Sequence, residues 1–584
     1  MYFDFCGKEK MEKTNTKRKY YRRKPKKAAE AKKPPVRIIP LGGLNEIGKN
    51  MTVIECEGDM IIIDCGSTFP DSEMFGIDLV IPDFTFISEN ADKVKGLVVT
   101  HGHEDHIGSI PYLLNTLNVP IYCTKLTKGL IENKLSEFSM KSVAEINEIK
   151  DGEPFTLGCM KIVPIHVNHS IPDAVGLAVE TPAGTIITTG DFKIDLTPPN
   201  SKPTDLATFS QYGEKGVLAL LSDSTNAERG GFSNSERTVG MSFERLLKRA
   251  GDRRVIIATF ASNIYRIQQI LDLAADAGRK VCVSGRSMTK NIAMAFELGY
   301  LTRHQDIVIE PEEVGSYPPG KIVLLTTGSQ GEPLSALSRM ANSNHRSFTI
   351  TPQDFVIISA TPIPGNEKMV TKVVNGLLKL GAEVIYENMY DVHVSGHAYQ
   401  EELKLMLSLV KPKYFIPVHG EYKHLYRHAL LAERVGVKKE NIVMGNIGEV
   451  YRIDENGVTV EEKVTAGSVM VDGYGVGDVG SVVLRDRRML SQDGLVIVVF
   501  TVAYETGDLR AGPDIVSRGF VYVKESEALI TEARMAAREV IEKYHDYYYK
   551  DWTVIKAKIK DRVSAVLYKR TKRTPVVLPI VMEI

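Results

Sequence analysis

The sequence predicts an α/β protein: a sandwich of sheets covered by helices, a doubly wound block inserted into it, and a small α+β module at the end. Three observations predict it. Short apolar runs broken by glycine begin at residue 36, regular strand–helix alternation begins near 236, and a different texture follows 480. Composition agrees, because 43% hydrophobic and 25% charged residues are globular proportions that exclude global disorder, collagen and coiled coil.

Residues 1–35 read as a disordered basic tail with 13 Lys/Arg against 4 Asp/Glu and almost no aliphatics. The whole chain is formally neutral, with 73 basic and 73 acidic residues, so a +9 tail offsets a −9 body. Net charge therefore decides nothing about nucleic acid. The tail suits RNA phosphates or a protein partner, and Met11 is an alternative start. No apolar signal segment heads it. The longest apolar stretch, Leu495 to Ala503, is far short of the about 20 residues a bilayer span needs. Six singly scattered cysteines fit a reducing compartment, so a cytoplasmic protein without membrane contact is expected.

The sandwich begins at 36–235. VRIIPLGG, NMTVIECEGDMIIIDCG, KVKGLVVTHGH, KIVPIHVNH and GVLALLSDST read as strands, and ETPAG as the turn of a hairpin. Helix SIPYLLNTL falls between two of them. Residues 236–400 form the inserted block, where RRVIIATF, KVCVSG, KIVLLTTG, DFVIISA and AEVIYE alternate with helices as in a parallel sheet. EELKLMLSLV and KYFIPVHG return to the first texture over 401–465, a linker follows at 466–484, and 485–584 is the α+β module. That module carries LVIVVFTVA, IVSRGFVYVK, one helix near 526–544 and RTPVVLPIVME.

The chemistry concentrates in His101-Gly-His103-Glu-Asp105-His106, directly after the strand GLVVT. A strand end fixes position, and the spacing turns imidazoles and a carboxylate toward one point, as zinc requires. Further donors stand at other strand ends: His169 in HVNHS, Asp191 in TTGDFK and His419 in PVHGE. Alone, each is an ordinary surface or capping residue. Together they make a carboxylate–imidazole set for two metals, with Asp191 suited to bridge because a carboxylate has two oxygens. Two metals about 3.5–4 Å apart are the arrangement of phosphodiester hydrolysis.

With those residues in view, the chain resembles the metallo-β-lactamase superfamily. LLSDST with Asp223, VSGHA with His397 and PVHGE with His419 are similar to the extra motifs of the beta-CASP nucleases. TTGSQGEP, SATPIPGNE and HVSGHA resemble the bacterial ribonuclease J family, and the likeness runs from about residue 36 to the C-terminus. The resemblance implies an αββα metallo-β-lactamase sandwich, an inserted beta-CASP domain and two Zn2+ per subunit, with Mn2+ or Mg2+ as alternatives. His101, His103 and His169 would hold one metal, and Asp105, His106 and His419 the other, with Asp191 between them. Asp105 would orient the attacking hydroxide, and His397 would protonate or stabilise the departing oxygen.

His393, Val394, Ser395, Gly396 and His397 would bind substrate, Gly396 by letting backbone approach it closely. Arg286 in SGRS is a candidate phosphate partner. Asp64 and Asp223 would orient ligands from behind. Met74, Gly76 and Asp472 could form a structural Ca2+ site, against the plainer reading of a solvated acidic loop. The implied function is a zinc ribonuclease with 5′→3′ exonuclease activity preferring 5′-monophosphate ends, and with endonuclease activity, in rRNA and mRNA maturation and decay. A homodimer or homotetramer held by the C-terminal module and partners from an RNA-degradation complex are expected. Competing readings are a small-ester or lactam hydrolase, a DNA nuclease, and an RNA-binding scaffold with a dead site. The large insertion argues against the first and the complete ligand set against the last.

Overall fold

The computed structural model describes residues 33–71, 73–363, 366–386, 390–521, 526–548 and 552–584. The expected disordered tail thus lies almost wholly outside the described residues.

Two sheets face one another. The first has eight strands in the order Gly457–Glu461, Val450–Asp454, Val36–Gly42, Met51–Cys56, Asp59–Ile63, Val94–Val98, Ile121–Cys123 and Ile146–Glu148. The second has six: Tyr414–Val418, Ala219–Asp223, Thr185–Thr188, Val175–Glu180, Met160–His166 and Phe155–Leu157. Alternation along each strand sends one set of side chains into the space between the sheets. Ile38, Ile54, Ile61 and Val98 meet Ile162, Leu177, Ile186 and Ile416 there. The opposite faces are covered by helices. Leu113, Ile131 and Leu135 pack on the first sheet, and Phe209, Leu403 and Leu431 on the second. This is the αββα sandwich the sequence predicts. The hairpin at ETPAG forms as read, with Thr181 and Gly184 exchanging backbone hydrogen bonds at 3.1 Å.

The inserted block is an all-parallel sheet in the order Val308–Ile309, Lys280–Ser284, Ile322–Thr326, Arg254–Ala258, Asp354–Ile358 and Glu383–Ile385. Its strands are buried on both faces, which explains their unbroken Val/Ile/Leu runs. Its core runs into the sandwich, where Leu126 and Ile171 share a cluster with Ile292 and Met294.

The ending differs from the sequence reading in three places. Residues 466–484 are not a bare linker, because Ser468–Asp472 pairs antiparallel with Leu79–Pro82. The second strand of the C-terminal module, Leu509–Arg518, starts six residues before the IVSRGFVYVK stretch and takes in only its first four residues, at one edge of the sheet. Two helices stand where one is expected, Glu527–Tyr548 and Trp552–Thr571, both packed on one face of a three-stranded sheet. No helix among the described residues is long and apolar enough to cross a membrane.

Candidate metal centre

The donors gather because their strands run the same way. Asp59–Ile63 and Val94–Val98 are parallel in the first sheet, as are Thr185–Thr188, Ala219–Asp223 and Tyr414–Val418 in the second. Their C-terminal ends therefore open at one edge of the sandwich, where Asp223 ends its strand and Asp64, His419, His101 and Asp191 stand one to three residues beyond theirs. Asp64 and His419 hold left-handed backbone there, with φ of 60° and 54°. Such a conformation costs about 1–3 kcal/mol in a non-glycine residue and persists where surrounding contacts fix it. At His419 the backbone N–H donates to the Gly43 carbonyl at 2.8 Å. Gly66 must lack a side chain, since a Cβ would lie 1.5 Å from the Asp105 carbonyl oxygen. That closeness lets Cys65 and Asn50 bind the backbone of the His101–His106 loop, at 2.9 and 3.0 Å.

Three ring nitrogens converge. His101 Nε2 and His169 Nε2 each lie 3.1 Å from His103 Nδ1. The far side of two rings fixes what these atoms carry. His169 Nδ1 donates to the Gly396 carbonyl at 2.7 Å, so its Nε2 bears a lone pair. Thr100 Oγ1 donates to Asp64 Oδ2 at 2.9 Å and so accepts from His101 Nδ1 at 3.1 Å, leaving His101 Nε2 a lone pair as well. Burial keeps all three imidazoles neutral, lowering His103 to about 4, His169 to about 3 and His101 well below its ordinary value. His103 Nδ1 can give at most one proton to these two lone pairs, so one contact is left for a cation to satisfy.

Asp105, His106, Asp191 and His419 form a second group whose donor atoms all lie within 4.8 Å of one another. His106 Nδ1 lies 2.8 Å from Asp64 Oδ2, and its Nε2 lies 3.3 Å from Asp191 Oδ2. His419 Nδ1 lies 2.9 Å from Asp191 Oδ1. Burial disfavours charge on both rings, yet the carboxylates around them, Asp191 foremost, raise both well above the ordinary histidine value. Burial likewise works against the Asp191 and Asp105 carboxylates, but His419 and His106 hold both below the ordinary range. Asp191 stands between the groups, with Oδ2 3.8 Å from both His101 and His169 while Oδ1 faces His419.

The donor chemistry suits divalent metal. It combines neutral imidazoles with two carboxylates, and His419 Nε2 is buried without a hydrogen-bond partner, 3.3 Å from Asp105 Oδ2. Asp105 and His103 are only partly buried, so the centre has a mouth.

The remaining candidates divide. His397 Nδ1 meets Asp223 Oδ2 at 2.8 Å; burial opposes its charge, but that carboxylate keeps it above its ordinary pKa. Gly396 is needed for a reason other than substrate approach, since a Cβ would lie 2.8 Å from the His169 ring. Ser395 Oγ accepts from Asn226 at 2.7 Å and from His397 N at 3.1 Å. Val394 is buried in the core of the inserted block. His393 faces inward, 3.3 Å from Arg266, whose guanidinium grips Glu236. Arg286 is exposed at the start of a helix and makes no ion pair among the described residues. The expected Ca2+ site holds a side-chain cation instead. Asp472 pairs with Arg487, which also donates to the Phe75 carbonyl at 3.0 Å and lies 2.9 Å from where a Gly76 Cβ would be, and Met74 packs against the small cluster around Val479.

Sequence reasoning missed Asn50, whose Nδ2 sits 3.1 Å from His106 Nε2, and Thr100, the relay between Asp64 and His101. Thr100 adjoins the histidine cluster and could have been suspected; Asn50 carried no signal.

Residues 252–377 match the ribonuclease J beta-CASP domain family, and 482–584 the ribonuclease J C-terminal domain. Residues 44–221 match the metallo-beta-lactamase superfamily, and 381–444 the Zn-dependent metallo-hydrolase RNA specificity domain. The chain is 45% identical to ribonuclease J2 of Bacillus subtilis (strain 168), over 94% of its own length and 99% of that relative. The chain belongs to the ribonuclease J family. Another ribonuclease J relative, ribonuclease J 1 of Streptococcus pyogenes serotype M3, is also 45% identical, over 94% of this chain and 97% of its own. A crystal structure of a protein of unknown function from Enterococcus faecalis V583 shares the fold alone, with a TM-score of 0.50 at 15% identity, covering 72% of this chain and all of that one. The family's metallo-hydrolase domain is thus the sandwich, and its beta-CASP domain the inserted parallel sheet.

Proposed function

We propose that this chain is a zinc-dependent ribonuclease that degrades RNA 5′→3′ from monophosphorylated ends and also cuts internally, in rRNA and mRNA maturation and decay. The observation that carries the reading is the convergence of three neutral imidazole nitrogens at 3.1 Å, with Asp191 between them and a second donor set. Two Zn2+ suit it, one on His101, His103 and His169, the other on Asp105, His106 and His419, with Asp191 shared; Mn2+ or Mg2+ are the alternatives. Held there, the cations supply Lewis acidity at the phosphoryl oxygens and a water nucleophile near neutral pH.

The chain's own residues do the rest. Asp105, at the mouth, orients the attacking water and takes its proton. Asp223 holds Nδ1–H of His397, leaving Nε2 to pass a proton to the departing oxygen. Asp64 and Gly396 fix the rings of His106 and His169. Arg286, free of any ion pair among the described residues, is available to a phosphate of the substrate. RNA as substrate is supported by the match of 381–444 to an RNA specificity domain. The five described cysteines are all free thiols, which fits work in the cytoplasm, alongside other RNA-degradation proteins.

The test is digestion of one labelled RNA bearing either a 5′-monophosphate or a 5′-triphosphate. Faster release of terminal mononucleotides from the monophosphate form is expected; equal release would remove the end-binding pocket.

A further inference from the structure

The helix Tyr422–Arg434 begins three residues after His419, within about 11 Å of extended chain. Its apolar side is fully used, with Leu425, His428, Ala429 and Ala432 packed inward. Its outward side carries two tyrosines one turn apart. Tyr422 is 62% exposed and Tyr426 49%, and their rings lie nearly parallel, 14° between planes at a centroid separation of 6.3 Å. Exposed aromatics are ordinary singly; here two stand one turn apart with near-parallel rings on the helix that follows His419. Beside the tyrosines runs a basic row, Lys423, Arg427 and Arg434. Lys423 is shared with Glu421 at 3.4 Å and Glu228 at 3.8 Å, whereas Arg427 and Arg434 make no ion pair among the described residues.

This face is continuous with the substrate segment. The loop carrying Glu228 also carries Arg229, which lies over the Tyr399 ring at 5.6 Å and donates to its hydroxyl at 3.1 Å. Asn226 of the same loop binds Ser395. Glu228 of that loop meets Lys423 and His424 at 3.8 and 3.6 Å, so the Tyr399–Arg229 pair and the helix bearing Tyr422 and Tyr426 are neighbours.

We propose that Tyr422 and Tyr426 form a base-stacking platform for the nucleotides of single-stranded RNA that flank the metal centre, with Arg427 and Arg434 facing the backbone. Every base offers a flat face to such rings, so the platform grips RNA without reading its sequence. Unpaired cations next to exposed rings match a polyanion carrying aromatic bases better than an apolar protein partner. The helix lies inside the stretch matching the RNA specificity domain, so the inference rests on the ribonuclease reading and deepens it.

The test measures equilibrium binding of a phosphorothioate-linked RNA of roughly 10 nucleotides, a length such surfaces cover, by the full chain. It compares wild type, Tyr422→Ala/Tyr426→Ala and Tyr422→Phe/Tyr426→Phe, with an abasic oligomer of equal length alongside. The alanine pair should weaken RNA binding about tenfold or more, the loss expected for a base stack. The phenylalanine pair should bind like wild type, and the abasic oligomer should not distinguish the three proteins. Wild-type RNA binding with no loss in the alanine pair overturns the platform and leaves the ribonuclease reading standing. An equal loss on the abasic oligomer overturns stacking too. Wild-type protein that binds RNA through these rings yet never cleaves the phosphodiester RNA of the same sequence, with Zn2+ added, would sink the ribonuclease reading and keep the platform.

Discussion

At Asp64 one carboxylate serves three donors. It accepts from Thr100 N at 2.8 Å, from Thr100 Oγ1 and from His106 Nδ1, and so orients two rings of the centre at once. Asp64→Asn should weaken metal binding about 10–100-fold, the usual effect of losing such a partner; unchanged affinity by metal titration would contradict that role. His428 acts on stability. Burial pushes its pKa down to about 3 from an ordinary 6.5, its Nε2 has no hydrogen-bond partner, and Ser224 holds Nδ1 at 3.0 Å. The unfolded chain takes up a proton there as pH falls below 6.5 and the folded chain does not. Stability present above pH 6.5 is therefore lost as pH drops toward 3, by at most roughly 1.4 kcal/mol per pH unit. His428→Phe should flatten the dependence of melting temperature on pH over that window, and parallel curves would refute the assignment. The histidine cluster was legible because its ligands are neighbours in sequence. Asn50 and Thr100 were not read, because their work depends on which segment folds against them.

Among elements, the joins between sandwich and insert rest on Glu402, in the first turn of the helix Gln400–Val410 and wholly buried. Its carboxylate accepts from Ile194 N, Ser233 N, Ser233 Oγ and Tyr399 N at 2.7–2.8 Å. It thus ties the loop after Asp191, the crossing into the insert and the segment returning from it. Glu402→Ala strands four donors, and a loss of about 3 kcal/mol or more is expected, read as a lower denaturation midpoint; an unmoved midpoint would show the joins are held otherwise. The strands and most helices were legible from hydrophobic periodicity. The helix Trp552–Thr571 was not, because Val554, Ile555, Ile559, Val563 and Val566 are β-branched and weaken the helical signal. Its buried residues Ile555, Ile559, Val563 and Leu567 nonetheless recur every fourth position. Glu402 was legible only as one acid in an amphipathic helix, since its partners lie up to 208 residues away.

For the whole molecule, the separate cores decide what can be removed. The C-terminal module packs around Val496, Phe500, Ala533 and Ile559 in a cluster of its own. Its sheet leaves Val516, Leu578, Ile580 and Met582 exposed on the face away from the helices. That face suits the self-association expected of the module. A chain ending near residue 480 should stay folded and show a smaller mass by light scattering; an oligomer as large as the full chain's would place assembly elsewhere. The neutral net charge, uninformative at the outset, now divides by place. Asp105 and Asp191 are acids committed to the metal centre, while Arg427 and Arg434, without an ion pair among the described residues, lie exposed on the helix that follows His419.

Metal-dependent RNA hydrolysis at the paired donor sets is tested most directly by following RNA cleavage while metal-stripped protein is titrated with Zn2+. No cleavage before addition, and activity rising in step with binding of about two cations per chain, is the predicted result. Full-rate cleavage by metal-stripped protein, or saturation with Zn2+ without cleavage, would contradict it.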